Sequence, residues 1–260
     1  MKFFDTHAHY FDEKFTALEG GAEALLSSLF EGEIGIVLNA ATTTRDSEAV
    51  LALADRFEGC FAAVGVHPEN CLEEQSLDAA LSRLRELLSH PKAVAIGEIG
   101  FDYYWPENPP KDLQRAFFEA QMDLARQLSL PVVIHDREAH GDTFEVLARY
   151  PDVVAILHSF SGSPETARQY LMNPNRYISF SGVLTYKNAV KTVETAALVP
   201  PDRMLLETDC PYLAPVPYRG KINHSGYMTE TAKKLAAIKG LSLEEVALLT
   251  TDNAKRAFGL

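Results

Sequence analysis

Near its start the chain reads FFDTHAHYFD, residues 3–12, with His7 and His9 two apart behind a short apolar run. Residues two apart on a strand project to the same side, so both imidazoles aim at one point. Imidazoles converging on one point are the beginning of a metal site. The same chemistry recurs along the chain. GVHPE carries His67, PVVIH ends at His135, and VVAILH ends at His158. GEIGFDYY carries Glu98, and LLETDCPYL carries Glu207 and Asp209. A lone histidine at a strand end is ordinarily a hydrogen-bonded structural group. Five of the chain's eight histidines at equivalent strand ends, with acids beside them, are not readily supplied by chance.

Imidazole nitrogen with carboxylate oxygen suits Zn²⁺, Mn²⁺ and related ions, whereas an all-oxygen set points to Mg²⁺. His7, His9, Glu98, His135, His158 and Asp209 are too many for one tetrahedral catalytic zinc. Two ions about 3.5–4 Å apart would use them all. A carboxylate alone in this set can bridge two ions, which makes Glu98 the expected bridge. Asp5 and Glu207 are expected to orient imidazole N–H groups. Cys210 would point opposite to Asp209 if the last strand continues.

These residues need a scaffold that brings strand ends together. Eight apolar runs read as strands: 3–7, 34–40, 61–66, 93–99, 131–135, 153–158, 177–182 and 203–209. Stretches of helical period lie between them, such as LDAALSRLRELLSH and LQRAFFEAQMDLARQLSL, whose Phe117 and Phe118 fall on the core face. Continuous Val, Ile and Leu runs mark strands buried on both faces, as in parallel sheets. Eight such units over residues 1–260, without a linker or repeat, predict a single (β/α)8 TIM-type barrel domain of α/β class. A doubly wound open sheet fits less well, because no glycine fingerprint follows the first strand. In a barrel the active site forms at the C-terminal ends of the strands, where His7, His9, His67, Glu98, His135, His158, Glu207 and Asp209 fall.

Composition narrows the class. The 260 residues are 47% hydrophobic and 23% charged, ordinary for a globular protein. No apolar run approaches the roughly 20 residues that span a bilayer, and no secretory signal is visible. Cys60, Cys71 and Cys210 are odd in number and lack CxxC spacing, so a reduced, cytoplasmic setting is expected. A net charge of −12 argues against coating nucleic acid by charge alone, though not against engaging a strand end locally.

The strings DTHAHY, GVHPE, GEIGFDYYW, PVVIHDREA, LHSFSG, ETDCPYLAPVPYRGK and TTDNAKRAF occur in order from end to end. Together they resemble the TatD family of metal-dependent deoxyribonucleases and related hydrolases, among the amidohydrolase-like barrels. The resemblance implies metal positions at His7, His9, Glu98, His135, His158 and Asp209, and Mg²⁺, Mn²⁺ or Zn²⁺ as cofactor. It also implies hydrolysis of phosphodiester bonds in DNA, as a 3′–5′ exonuclease on single-stranded ends. Some relatives resemble tRNA-directed deacylases. Two departures stand out: Glu69 where the family usually has a second histidine, and Asn223-His224-Ser225 where it usually has Asn-Glu-Pro. Both are expected in loops at the site mouth.

The chemistry expected is attack by a metal-activated water, with Asp209 as ligand and base, and Glu207 beside it. His67 would hold the phosphate or protonate the leaving oxygen. Arg137, Arg219 and Lys221 are candidate phosphate contacts, and Tyr103 in FDYYW a candidate base-stacking surface. A glycosidase pair of Glu98 and Asp209 leaves the histidines unexplained. No G-x-S-x-G elbow supports a serine nucleophile, and Glu98 stands where a bridging carbamylated lysine would be needed. The competing readings keep the metals but cleave an aminoacyl-tRNA ester, or bind metal without catalysis. The partner expected is a DNA end, with no membrane, and the protein is expected to be a monomer.

Overall fold

Strands β1 (Phe3–Ala8), β2 (Ile34–Ala40), β3 (Cys60–Val64), β4 (Ala93–Asp102), β5 (Val132–Arg137), β6 (Ala155–Leu157), β7 (Arg176–Phe180) and β8 (Met204–Leu206) pair in chain order as one parallel sheet. The computed structural model describes residues 2–260. The two sheet edges meet: Ala8 bridges Cys210, Asp209 N–H donates to His7 O at 2.9 Å, and Thr6 Oγ1 donates to Leu206 O at 3.0 Å. The sheet therefore closes on itself as the TIM-type barrel that the eight apolar runs predict.

Helices α1 (Gly21–Glu31), α2 (Thr44–Ala54), α3 (Leu77–Leu87), α4 (Lys111–Leu128), α5 (His140–Ala148), α6 (Pro164–Leu171) and α7 (Val190–Leu198) connect successive strands, and α8 (Met228–Lys239) and α9 (Leu243–Phe258) follow the last. Their starts are written locally. Thr43, Ser76, Ser163 and Ser242 each accept a backbone N–H of the first turn, and Ser242 with Glu245 forms a full capping box. None of these helices is long and apolar enough to cross a membrane. The three cysteines are free and buried.

Alternation along the strands sorts side chains into two layers. One set, with Phe3, Val37, Ile96, Ile134 and Leu206, packs outward against the helices, where Phe117 and Phe118 join it. The other, with Phe4, Leu38, Ala63, Ala95, Val133, Ile156 and Leu205, fills the barrel interior. Phe258 from α9 packs against Phe4 with ring centroids 5.7 Å apart, closing the N-terminal end. Apolar packing thus occupies one end of the barrel and leaves the other to polar groups.

The strand ends differ from the sequence expectation most at β4 and β8. β4 runs on to Asp102 because Gly100, at φ 140°, lets the chain stay paired with β5. A Cβ at Gly100 would collide with the His135 carbonyl oxygen. β8 stops at Leu206, three residues early, because Thr208 N–H leaves the ladder to bond Asp5 Oδ1 at 2.9 Å. Gly100→Ala combines a forbidden φ with a backbone clash, so it should lower stability by about 2–4 kcal/mol. Urea unfolding checks this, and a midpoint equal to wild type would refute it.

Candidate active site

The ends of β1, β3, β4, β5, β6 and β8 open into one cavity of about 650 Å³. At its floor, β1 presents His7 and His9 with their Nε2 atoms 3.1 Å apart. Asp209 Oδ1 lies 3.2 Å from His9 Nε2 and 3.8 Å from His7 Nε2. Glu98 Oε2 lies 3.2 Å from His7 Nε2 and 3.8 Å from His9 Nε2. The other oxygen of Glu98 faces away from this group. Oε1 is 2.7 Å from His135 Nδ1 and 2.8 Å from His158 Nε2. One carboxylate therefore addresses two separate nests of imidazole nitrogen.

Ring nitrogens not aimed at the cavity are mostly engaged behind it. His9 Nδ1 donates to Ala40 O at 2.8 Å, which leaves Nε2 as a bare lone pair facing inward. His158 Nδ1 donates to Glu207 Oε1 at 3.2 Å, with the same effect. Asp102 Oδ2 lies 2.9 Å from His135 Nε2, while its Oδ1 accepts Tyr104 N–H and Asn108 Nδ2. Such carboxylate–imidazole pairs fix the tautomer and orientation of a metal ligand. His67 is the exception. Its Nδ1 accepts Glu69 N–H at 3.2 Å, so the proton sits on Nε2, 3.5 Å from Glu98 Oε1. Burial holds His67 neutral, its pKa pushed down to about 4. It faces the cavity as a hydrogen-bond donor, not as a lone pair.

Acids and imidazoles shift one another across the site. Burial disfavours charge on Glu98, yet the imidazoles of His158, His67 and His7 hold its carboxyl well below the usual range. Burial likewise opposes charge on His135, but its hydrogen bonds to Asp102 and Glu98 outweigh that and raise it to about 9. Donors around one ion at about 2.0–2.2 Å are themselves roughly 3–3.5 Å apart. The observed separations of 2.7 to 3.8 Å fit that requirement on both sides of Glu98. Donor atoms of His7, His9 and Asp209 lie within 4.8 Å of one another, as do those of His7, Glu98 and His158. The residues present fit divalent metal ions.

The six residues expected to hold metal are thus brought together. Arg137 also lines the cavity, stacked 4.0 Å over the Tyr104 ring and 5.5 Å from Trp105. Several other expectations need correction. Tyr103 does not line the cavity: its ring packs on Phe101 and its hydroxyl donates to Asp142 at 2.7 Å. Trp105, two residues on, takes the lining position. Lys221 and His224 line a different cavity beside Tyr227, and Arg219 stacks on Tyr186 outside the lining. Ser225 is fully buried, donating to Asp5 Oδ2 at 2.7 Å, whereas Glu69 does sit at the mouth. Glu207 behaves as expected toward His158, but Asp5 orients no imidazole. His7 Nδ1 is buried without a partner, and Asp5 accepts from Thr208 and Ser225 instead.

Asp102 was not singled out by the sequence pattern, although it lies an even number of residues from Glu98 on the same strand. Nor was the pair of His140 Nδ1 with Asp136 Oδ2, 2.7 Å apart beside the cavity. The histidine four residues after an acid was the available signal there.

Residues 4–259 match the family described as TatD related DNase. The chain belongs to the TatD family. It is 40% identical to the uncharacterized metal-dependent hydrolase YabD of Bacillus subtilis, with 98% of each chain covered. It is 36% identical to YcfH of Escherichia coli K12, an uncharacterized metal-dependent hydrolase, covering 98% of this chain and 94% of that one. The crystal structure of YJJV, a TatD homologue from Escherichia coli K12, superposes with a TM-score of 0.91 at 30% identity, covering 99% of this chain and 98% of that one. This TatD protein is accordingly a metal-dependent hydrolase.

Asp5 ties the closing edge of the barrel to the loop that carries Asp209, through Thr208 N–H, Thr208 Oγ1 and Ser225 Oγ. Asp5→Ala leaves these buried donors unpaired and should cost at least about 2 kcal/mol. Urea unfolding measures it, and a loss below about 0.5 kcal/mol would contradict the role.

Proposed function

We propose that this protein is a nuclease that hydrolyses phosphodiester bonds at single-stranded DNA ends, in the 3′–5′ direction, with two divalent ions that Glu98 and the histidines around it would hold. The observation that carries the reading is Glu98 itself, whose two oxygens face two imidazole groups from opposite sides. His7, His9 and Asp209 would hold one ion, and His135 and His158 the other. Ions bound there, Mg²⁺, Mn²⁺ or Zn²⁺, supply Lewis acidity toward a phosphoryl oxygen and activate water near neutral pH.

The remaining steps belong to side chains. Water attacks phosphorus as the bond to the leaving sugar oxygen breaks; Asp209, which lines the cavity, accepts the proton of the attacking water, and the departing oxygen takes up a proton from solvent. His67 donates its Nε2–H to a phosphate oxygen. A neutral imidazole is well suited to that task and poorly suited to acting as a strong acid, so holding the phosphate is its role. Glu207 and Asp102 keep His158 and His135 in the tautomers that present lone pairs inward. Arg137 supplies charge at the mouth, and Trp105, 44% exposed, offers a face to an unpaired base. A cavity of about 650 Å³ is in the range that encloses one small guest, about 300–1,000 Å³, which suits a terminal nucleotide better than a duplex.

Digestion of 3′-labelled and 5′-labelled single-stranded oligonucleotides with Mg²⁺ or Mn²⁺ tests the reading. Stepwise loss of the 3′ label, abolished by EDTA and by His135→Ala, is the expected result. A metal-loaded wild type that leaves both labels intact but deacylates aminoacyl-tRNA would overturn it. Asp102→Asn removes the acceptor behind His135 and should weaken metal binding by about 10–100-fold in calorimetry. Unchanged metal affinity would exclude that role for Asp102.

A further inference from the structure

Beside the catalytic cavity lies a second cleft of about 420 Å³, between the loop after β7 and the start of α7. Ser161 and Val183 line both spaces, so the two adjoin across them. Tyr186, Asn188, Lys191 and Thr192 form the rest of the wall that matters here, and no carboxylate lines the cleft. The catalytic cavity, in contrast, has Asp12, Glu69 and Asp136 in its lining. A polyanion leaving the catalytic centre meets least repulsion on the Ser161–Val183 side.

The cations on that side are held without being neutralised. Arg219 lies 3.9 Å over the Tyr186 ring. Among the described residues, Arg83, Arg126 and Lys233 on the outer helices reach carboxylates within ion-pair distance, but Arg219 and Lys191 do not. Tyr186 is itself anchored, its hydroxyl donating to Ala214 O at 3.1 Å. Burial raises the pKa of that hydroxyl, Arg219 lowers it, and Asp209 raises it, which places Tyr186 within electrostatic reach of both the cation and the catalytic acid. The arrangement repeats at the mouth, with Arg137 over Tyr104 and Lys14 3.7 Å over Tyr212. A ring orients a cation and leaves its N–H groups free for phosphate. Cation plus ring is also the pairing by which proteins track single strands without reading sequence.

We propose that this cleft is a second subsite, in which Lys191 of its wall and Arg219, stacked on the Tyr186 ring that lines it, hold the phosphates of the strand that flanks the scissile bond. The proposal rests on the nuclease reading above and adds to it a reason to prefer polymers over short substrates.

The test pairs cleavage with binding, using oligothymidylates of two and about twelve nucleotides. Cleavage is measured with Mn²⁺, and binding is measured by anisotropy of a fluorescent twelve-mer in EDTA across a salt series. The variants are Arg219→Glu with Lys191→Glu, and a control of equal charge on exposed positions of α3 and α9, which do not build the cleft, Arg85→Glu with Lys255→Glu. The cleft variant should lower the twelve-mer to dinucleotide ratio of kcat/KM roughly tenfold, and make the salt slope of binding shallower by about 1.4, for two phosphate contacts on a single strand. The control should change neither. A cleft variant that keeps the wild-type ratio and slope, or a control that matches it, overturns the subsite. If wild type cleaves nothing yet binds the twelve-mer through Arg219 and Lys191, the nuclease reading fails and the subsite stands. Absence of both cleavage and binding overturns both.

Discussion

Glu98 is 3% exposed and sits between the imidazoles of three strands, with His7 and His9 on one side and His135 and His158 on the other. A carboxylate in that position cannot be satisfied by water, and its cost in a low-dielectric interior is offset only by positive charge close to both oxygens. Protonated imidazole supplies some of that charge, and divalent ions would supply more. The strand ends are arranged around this requirement. β4 must bring Glu98 to the axis, while β1, β5, β6 and β8 must deliver their donors from the surrounding wall.

That demand explains the two-ended construction of the barrel. The N-terminal end is packed by small and branched interior side chains and closed by α9, which gives the strands a rigid base. The C-terminal end then carries buried polar groups whose partners come from strand neighbours. Glu207 behind His158, Asp102 behind His135 and the Ala40 carbonyl behind His9 each remove one proton position, so that a lone pair faces the centre. Asp5 acts one step further out by holding the loop that turns at Asp209, a residue with φ 58° that leaves the strand as β8 ends. The rim continues the same logic outward. Arg137 at the mouth rests on the Tyr104 ring, and Arg219 on that of Tyr186.

Much of this was legible in the sequence, for physical reasons. Buried parallel strands need unbroken apolar runs, so eight such runs marked eight strands, and a polar residue ending an apolar run can only lie at the rim. His7, His9, Glu98, His135, His158 and Asp209 were readable by that rule alone. The second tier was less so. Asp102 lies beyond the apparent end of its strand because Gly100 permits a conformation that apolar patterning does not reveal. Loop side chains were the least legible. Tyr103 and Trp105 are two apart and equally aromatic, and only the packing of Tyr103 on Phe101 and its bond to Asp142 decide which one faces the cavity. Asn223-His224-Ser225 read as a mouth loop, yet Asn223 donates to the Thr208 and Tyr212 carbonyls and Ser225 lies under Asp5. Those contacts span the closure of the barrel, and nothing local in the sequence encodes them.

In the proposed nuclease, Glu98 would join the two ions through its two oxygens. Anomalous diffraction at the manganese edge from crystals grown with Mn²⁺ tests it most directly. The account predicts two peaks, one beside His7, His9 and Asp209 and one beside His135 and His158, each with an oxygen of Glu98 in its shell. A single peak, or two peaks of which Glu98 touches only one, would contradict it.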